Sequence, residues 1–584
     1  MHARRFPWAI LVGLWFVMSA FLLWSFWQTA VTLNFDDPDD FLRLQQVRDF
    51  LGGQSWFDLT QRRLGGPGGL PMHWSRLVDV PLLAFMLPLR PLLGQHMAEV
   101  IAVMGAPLLT LLALITVVVL TTRRLFGPDP ATAILACLLT LSASTIFAQI
   151  HPGRIDHHGW QIVFAAAAVA ALLQRNARRS GLAAGVALAF YLNISIEGAP
   201  FVAAALGITG LLWALGRDKP DRVTGALASL AITTPILAAL TAPAYRWTEG
   251  LCDAVMPSHM LAMVVAAAGT MVAVRIGARR GPFTRVVFLA AVLALTILAF
   301  GLAAPTCVGS PFGQMDPVVD RFWYQNVVEG MPVWRQDAVA AAAMIGFPIL
   351  SIVGSVIGLR RAGSPEMRRR WTMLLFLLIV TLVTGALVRR AAGVSHVIAV
   401  PGALVLIGIV VRYAEAHFAA LTKSLAIAFA VIAFSPIMPV FAVAAFTPSL
   451  KPEPRARKLP CDRMCVLHKL ATRPPEAYLT SIDLGPLLLF HTPHSAYGAG
   501  YHRLGVPLRD TIDFFQASPE AARAFMERKQ FRVIMIAPAS EETKLFVTKA
   551  PRGMMARLVK GPVPDWLVED DLSASALRVY RRRD

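Results

Sequence analysis

The sequence predicts a polytopic α-helical membrane protein with a C-terminal extracytoplasmic α/β domain. Of its 584 residues, 56% are hydrophobic and only 16% are charged, whereas an ordinary soluble protein has about 45–50% apolar and about 25% charged residues. About thirteen apolar segments approach the roughly 20 residues that a bilayer-spanning helix needs. A soluble globular protein, a disordered chain and a disulfide-rich scaffold all fit this composition poorly.

The chain is also basic, with 55 Lys and Arg residues against 36 Asp and Glu residues and a formal charge of +19. A polytopic protein collects Lys and Arg in its cytoplasmic loops. The charge therefore predicts topology, and no nucleic-acid partner is expected.

The apolar segments give the predicted spans. The first, residues 8–31, is too long for a signal-peptide core and has no obvious small-residue cleavage site, so we expect it to be retained. The short apolar pieces at 80–94 and 181–215 are where the count could change. The other twelve spans are predicted near residues 98–121, 131–149, 159–174, 181–194, 198–215, 223–241, 259–276, 285–304, 337–359, 371–388, 395–413 and 423–446.

Basic residues lie in every second connection between these spans, which places those connections in the cytoplasm by the positive-inside rule. The N-terminus is then cytoplasmic, and thirteen spans place the C-terminal region outside, in the periplasm of a bacterial-type inner membrane. The clusters are Arg4–Arg5, Arg123–Arg124, Arg175/Arg178/Arg179, Arg217/Lys219/Arg222, Arg275/Arg279/Arg280, Arg360/Arg361 with Arg368–Arg370, and Arg412/Lys423.

Two domains follow. Residues 1–447 form the transmembrane domain, with outer loops at 34–79 and 305–336, and residues 448–584 form the small α/β domain. Within the latter, EAYLTSI, SAYGAGY and FRVIMIAP are typical of short strands, and SPEAARAFMERK predicts a helix with Ser518 as its N-cap. Cys461 and Cys465 could close a small disulfide loop there, whereas Cys137 is predicted to be a core residue.

Four acids follow the first span, in the sequence FDDPDD. Asp37 could cap a helix that begins at Pro38, with Asp39 and Asp40 favoured by the helix dipole. Capping does not require so many acids, and carboxylates this close repel one another unless a cation neutralises them. Helix capping and a site for a divalent metal or a cationic substrate both remain open for Asp36 and Asp37.

Three other polar clusters share the predicted outer face. In HPGRIDHHGWQ, Asp156 and one histidine could ligate a metal, or the histidines could bond to loop carbonyls at the headgroup level. The outer loop at 305–336 carries Glu329 among other acids and aromatic residues. Arg389 and Arg390 could bind a phosphate or extend to the interface as ordinary anchors.

The stretches DPDDFLR, GRIDHHG and NVVEGMPVW resemble, in order, the first-loop, second acidic and fifth outer-loop motifs of oligosaccharyltransferase catalytic subunits. The resemblance implies a GT-C glycosyltransferase that uses a polyprenyl-linked sugar donor and a divalent metal, Mg or Mn. It makes Asp37, Asp156 and Glu329 the metal-binding and catalytic acids, with Asp36 as a further catalytic candidate. Arg389 and Arg390 would bind the donor phosphate, and His158, which stands where the family has its second carboxylate, could still ligate the metal.

The sequence departs from the family at its peptide-recognition motif, Trp-Trp-Asp-Tyr-Gly, where Ser481-Ile482-Asp483-Leu484-Gly485 retains only the Asp and the Gly. Asparagine-linked glycosylation of proteins is therefore the less favoured activity. The acceptor is unknown, and its surface or that of the donor could include Asp483, Tyr501, His502 and Arg503, which could instead form the polar rim of the α/β domain.

We therefore expect an inverting, metal-assisted transfer of a sugar to an acceptor at the outer face of the lipid bilayer. Three alternatives remain. One is a true oligosaccharyltransferase that acts on protein, the second is a lipid or solute transporter or flippase, and the third is a noncatalytic membrane scaffold. A transporter is expected to show related halves and polar groups at mid-membrane, neither of which is evident in this sequence.

Overall fold

The structure is a computed structural model that describes residues 8–248, 250, 252–309, 315–447 and 463–583. The chain divides into two compact units. We name the first the helical unit; it comprises Met1–Val31, Trp74–Gly313 and Val328–Pro448. The second, the sheet unit, comprises Thr32–His73, Gln314–Val327 and Ser449–Asp584. Parts of both predicted outer loops thus group with the C-terminal region.

The α-helices, in chain order, begin with α1 (Trp8–Thr32), α2 (Pro38–Leu51), α3 (Asp79–Phe126), α4 (Pro130–Leu141), α5 (Ser144–Phe147), α6 (His158–Leu172), α7 (Ala177–Ile194) and α8 (Ala199–Ala214). They continue with α9 (Pro220–Thr241), α10 (Pro257–Gly277), α11 (Pro282–Ala303), α12 (Pro317–Phe322), α13 (Ala338–Arg360), α14 (Pro365–Leu387), α15 (Ala392–His417), α16 (Ala420–Ala433) and α17 (Ile437–Phe446). The last are α18 (Arg463–Leu470), α19 (Gly485–His491), α20 (Gly505–Gln516), α21 (Pro519–Lys529), α22 (Glu541–Lys549) and α23 (Met554–Lys560).

The many apolar helices confirm the prediction of a polytopic helical membrane protein. Among the described residues, nine helices are long and apolar enough to cross a bilayer, and the bent pair α16 and α17 would make ten. The shorter apolar helices α4 and α6 lie at two further predicted spans. The count of about thirteen and the orientation stay predictions. The uncertain piece at 80–94 belongs to α3, which is interrupted at Gly94, where φ is +79°.

Small residues bring the helices of the helical unit into close contact. A Cβ added to Gly354 of α13 would lie 1.9 Å from the carbonyl oxygen of Gly402 of α15. On α7, a Cβ at Gly181 would lie 2.3 Å from the carbonyl oxygen of Arg222. Such contacts are typical of membrane helices, which associate through packing rather than through the hydrophobic effect. They hold α13 against α15 and α7 against α9.

The helical unit also holds a disulfide between Cys252 and Cys307, 55 residues apart, which the sequence analysis did not predict. Cys137 is a buried free cysteine, which confirms its prediction as a core residue. The predicted loop between Cys461 and Cys465 includes Cys461, which lies outside the described residues.

The sheet unit contains a five-stranded mixed sheet in the order β4-β3-β5-β7-β6 and a small hairpin. Strands β4, β3 and β5 pair in parallel, whereas β7 is antiparallel to both β5 and β6. The strands are β1 (Thr60–Gln61), β2 (Leu70–Pro71), β3 (Ala477–Thr480), β4 (Ser495–Ala496), β5 (Val533–Ile536), β6 (Leu567–Glu569) and β7 (Arg578–Arg582).

Several local predictions for the sheet unit are confirmed. Strands β3 and β5 lie within EAYLTSI and FRVIMIAP, although β4 covers only two residues of SAYGAGY. Helix α21 begins after Ser518, whose hydroxyl accepts a hydrogen bond from the Ala521 amide. Helix α2 begins at Pro38 after an Asp37 cap, as the sequence predicts. Strands β6 and β7 were not predicted.

Candidate functional site

Three adjacent side chains form a buried polar group where α6 begins. Asp156, His157 and His158 are at least nine-tenths buried, and one ligand atom from each lies within 4.8 Å of the others. Gly159 allows the start of α6 to approach the preceding loop, because a Cβ there would lie 2.8 Å from the Gln149 carbonyl oxygen. The loop and the helix together hold the three side chains in one place.

His158 is oriented by the next turn of α6. Its Nδ1 lies 2.8 Å from Oε1 of Gln161, so Nδ1–H donates to the amide oxygen and the lone pair of a neutral ring lies on Nε2. That Nε2 is 3.3 Å from Oδ2 of Asp156. A lone pair and a carboxylate oxygen repel at this distance, so a proton or a cation between them would stabilise the arrangement.

Asp156 is an anion at neutral pH. Burial alone would raise the pKa of its carboxyl group, but charges on His157, His158 and Arg154 and a hydrogen bond from His157 hold that pKa well below its ordinary value. Nδ1 of His157 lies 2.5 Å from Oδ1 of Asp156. The group is therefore an anionic carboxylate flanked by two imidazoles.

Arg154 brings Glu329 close to this group. The Arg154 side chain is buried and donates through Nε and Nη2 to Oε1 of Gln149, both at 3.3 Å. Its Nη2 also lies 4.0 Å from Oδ2 of Asp156 and 3.5 Å from Oε1 of Glu329. Three predicted residues, Asp156, His158 and Glu329, are thus brought together. Arg154 was not among the predicted site residues, although it lies two positions before Asp156.

Arg389 and Arg390, the two arginines predicted to bind phosphate, lie in a short 3-10 turn directly before α15. Arg390 forms an ion pair with Glu197, and Nη1 of Arg389 donates to Oε1 of Gln336 at 3.2 Å. Glu197 was missed, although a lone carboxylate within the apolar stretch 181–215 is itself a signal of function.

The acids after the first span belong to the sheet unit. Oδ1 of Asp37 accepts a hydrogen bond from the Asp39 amide at 2.9 Å, and Asp39 accepts one from the Tyr501 hydroxyl at 2.9 Å. Asp36 is exposed and Asp40 is buried. This hydrogen bond confirms Asp37 as the N-cap of α2. A metal held by both Asp37 and Asp156, and a catalytic role for Asp36, stay predictions.

Asp483, in the altered peptide-recognition motif, is coupled to a second carboxyl group. Glu542 accepts hydrogen bonds from the amides of Ile482 at 2.7 Å and Asp483 at 3.3 Å. Burial and the charge of Asp37 raise the pKa of Asp483, and burial and the charge of Asp483 raise the pKa of Glu542 to about 8. Glu542 therefore keeps its proton to a higher pH than an ordinary glutamate does.

The remaining predicted surface residues make contacts within the sheet unit. Nη1 of Arg503 donates to the Pro71 carbonyl oxygen at 3.0 Å, and the ring of His502 lies 4.9 Å from that of His73. These contacts suit a structural rim, and a role at an acceptor or donor surface stays a prediction. Trp323 and Asp483 both lie next to Gly500. A Cβ built on Gly500 would be 3.1 Å from the indole nitrogen of Trp323 and 3.7 Å from a carboxylate oxygen of Asp483.

Comparison with known proteins supports the fold assignment. No family model and no curated protein matches this chain. Among solved structures, it matches the oligosaccharyltransferase AglB from Archaeoglobus fulgidus in complex with an inhibitory peptide and a dolichol-phosphate, with a TM-score of 0.64 and 15% identity over 93% of this chain and 71% of that chain. The chain therefore shares the fold of this archaeal oligosaccharyltransferase.

Two further structures of the Archaeoglobus fulgidus oligosaccharyltransferase give similar matches. One is tethered to an acceptor peptide containing the NVT sequon, with a TM-score of 0.65 and 15% identity over 94% of this chain and 72% of that one. The other is a complex with Zn and sulfate, with a TM-score of 0.59 and 15% identity over 89% and 66%. At this identity the likeness concerns the fold, so the predicted resemblance is confirmed at that level.

Proposed function

We propose that the chain is a membrane glycosyltransferase that moves a sugar from a polyprenyl-phosphate or polyprenyl-pyrophosphate donor to an acceptor at the outer face of the membrane. The observation that carries the proposal is the buried, anionic Asp156 between two histidines and beside the Arg154–Glu329 pair, in a chain with an oligosaccharyltransferase-like fold. The dolichol-phosphate bound by the archaeal enzyme supports a lipid-linked phosphate as the donor class.

The donor set at the start of α6 fits a divalent cation. One carboxylate and two imidazoles lie within ligand distance of one another, and Gln161 orients His158 as an outer-shell partner commonly does. Imidazole ligands suit Zn or other transition metals, while carboxylates also suit Mn and Mg. Among the predicted ions, we therefore favour Mn over Mg. The resemblance adds Asp37 and Glu329 as further ligands. When bound, the metal would neutralise charge that develops on the leaving phosphate.

Other side chains would bind the donor and orient the acceptor. The guanidinium groups of Arg389 and Arg390 would donate to phosphate oxygens, and Glu197 would hold Arg390 in place. Glu329, Asp37 or Asp36 would orient the acceptor or accept its proton. Direct attack of the acceptor on the anomeric carbon inverts that centre.

A protein acceptor is the second candidate. The motif at 481–485 lacks the aromatic residues of the family's peptide pocket, but Trp323 places an indole beside Asp483. The acceptor peptide tethered to the archaeal oligosaccharyltransferase belongs to the same class. The proton held by Glu542 would let this pair donate a hydrogen bond to an acceptor as well as accept one.

The test compares donors and acceptors directly. Purified protein is given single-sugar and oligosaccharide donors on polyprenyl monophosphate and pyrophosphate, with either a sequon peptide or a lipid acceptor. Transfer should be lost in Asp156→Ala and Glu329→Ala and retained in the exposed-acid control Asp221→Ala. Full transfer by Asp156→Ala would contradict the assigned site. Movement of intact donor across vesicles without sugar transfer would instead support a transporter.

A further inference from the structure

Four arginines converge on the C-terminal end of α6, at the other end of the helix from Asp156. Arg124, in the last turn of α3, donates to the Ala170 carbonyl oxygen. Arg222 of α9 and Arg369 of α14 donate to the Leu172 oxygen at 3.2 and 3.0 Å. They also donate to the Gln174 oxygen, at 3.0 and 3.2 Å. Because the last carbonyls of a helix carry its negative dipole end, these contacts cap α6.

Arg370, the fourth arginine, joins this cluster through Arg124. Its Nη1 donates to the Arg124 carbonyl oxygen, so the two residues lie together at adjoining ends of α3 and α14. The Arg370 side chain is only 9% exposed, and Arg124 is also largely withdrawn from solvent. Guanidinium groups that lie close together repel unless an anion lies nearby.

The carboxylates of the cluster do not balance its charge. Asp218 accepts from Arg222 at 2.7 Å and lies 3.7 Å from Arg369. Glu366 accepts from Arg369 at 2.8 Å and from Arg370 at 2.9 Å. Among the described residues, two carboxylates thus pair with this group of four arginines, and the dipole of α6 supplies only about half a negative charge. Since buried charge is costly without a counter-charge, more than one positive charge calls for a further anion.

We propose that Arg124 and Arg370 bind the phosphate of an anionic phospholipid. Both residues lie near the ends of long apolar helices, Arg124 in the last turn of α3 and Arg370 in the first two turns of α14. Guanidinium groups match phosphate oxygens with paired donors, and basic pockets between membrane helices are typical headgroup sites. A zwitterionic lipid would bring an ammonium group toward the cluster and would bind less well.

The test measures lipid binding by the full-length protein in neutral detergent, with native mass spectrometry and thermal unfolding as readouts. Phosphatidylglycerol should remain bound and raise the Tm. Phosphatidylcholine should bind at least about fivefold more weakly, since each arginine near a headgroup contributes roughly 1 kcal/mol. Millimolar inorganic phosphate should not reproduce the Tm shift. Equal binding of the two lipids, or an equal shift with phosphate alone, would overturn the proposal.

Variants locate the site. Arg124→Gln and Arg370→Gln should each weaken phosphatidylglycerol binding about fivefold, while the exposed control Arg280→Gln should leave it unchanged. Arg124→Lys keeps the charge but loses the paired donors, so its binding should be intermediate. If Arg370→Gln does not fold, the two Arg124 variants decide the matter. Phosphatidylglycerol binding that is unaffected in Arg124→Gln would refute the assignment.

Discussion

The charge of Asp156 is the property of the site that a single substitution tests best. Asp156→Asn keeps the size of the side chain and one ligand oxygen but removes the negative charge between His157 and His158. Those imidazole nitrogens lie 2.5 and 3.3 Å from the carboxylate oxygens. The substitution therefore separates the electrostatic role of Asp156 from its packing.

The size of the effect follows from the attraction between the Asp156 carboxylate and a bound cation. At an effective dielectric constant of 20, two unit charges about 4 Å apart interact by about 4 kcal/mol. A factor of ten in affinity corresponds to about 1.4 kcal/mol. A divalent cation ligated by Asp156 should therefore bind at least about 100-fold more weakly in Asp156→Asn, and sugar transfer should fall with it.

The assay is calorimetric titration of Mn²⁺ into the purified protein, followed by sugar-transfer measurements on the same samples. Asp221→Asn is the matched control, because it removes one exposed carboxylate from the same helical unit. Thermal unfolding must show that both variants are folded. Wild-type Mn²⁺ affinity in a folded Asp156→Asn would refute the assignment of Asp156 as a ligand.

Three further predictions concern other parts of the structure. Glu197→Gln should raise the KM for the donor about fivefold, because the partly exposed ion pair that orients Arg390 contributes about 1 kcal/mol; an unchanged KM and kcat would contradict this. Cys252→Ser removes the disulfide to Cys307, 55 residues away, and should lower the free energy of unfolding by about 4 kcal/mol. This is measured as a lower denaturation midpoint, and an unchanged midpoint would argue against the disulfide. The pKa of Glu542 is raised to about 8, so the folded state binds more protons than the unfolded state between pH 4.5 and about 8. The free energy of unfolding should therefore fall as the pH rises through this range. Glu542→Gln should flatten this pH dependence in unfolding measurements, and an unchanged slope would contradict the prediction.

Features encoded by neighbouring residues were predictable from the sequence. The Asp37 cap with Pro38 begins α2, and Ser518 with Pro519 begins α21, because capping residues act within one turn of the helix. The apolar segments predicted the helical membrane class for the same reason, since each span carries its own length and composition signal.

Features that depend on distant residues were not predictable. Glu197 pairs with Arg390, 193 positions later, and no spacing in a single sequence signals such a contact. Strand β7 is rich in arginine and resembles a polar loop, but Arg581 is neutralised by Glu476 and Asp570 while the strand pairs with β5. The grouping of residues 32–73 with the C-terminal region likewise depends on long-range contacts.

Sugar transfer from a lipid-linked donor is the activity proposed for this chain. Its most direct test incubates the purified protein with a polyprenyl-linked radiolabelled sugar, with and without a divalent metal, and separates the labelled products. We expect metal-dependent loss of label from the lipid and its appearance on an acceptor with inverted anomeric configuration, and no such transfer by Asp156→Ala. Binding of the donor without cleavage of its sugar–phosphate bond, across acceptors and metals, would contradict it.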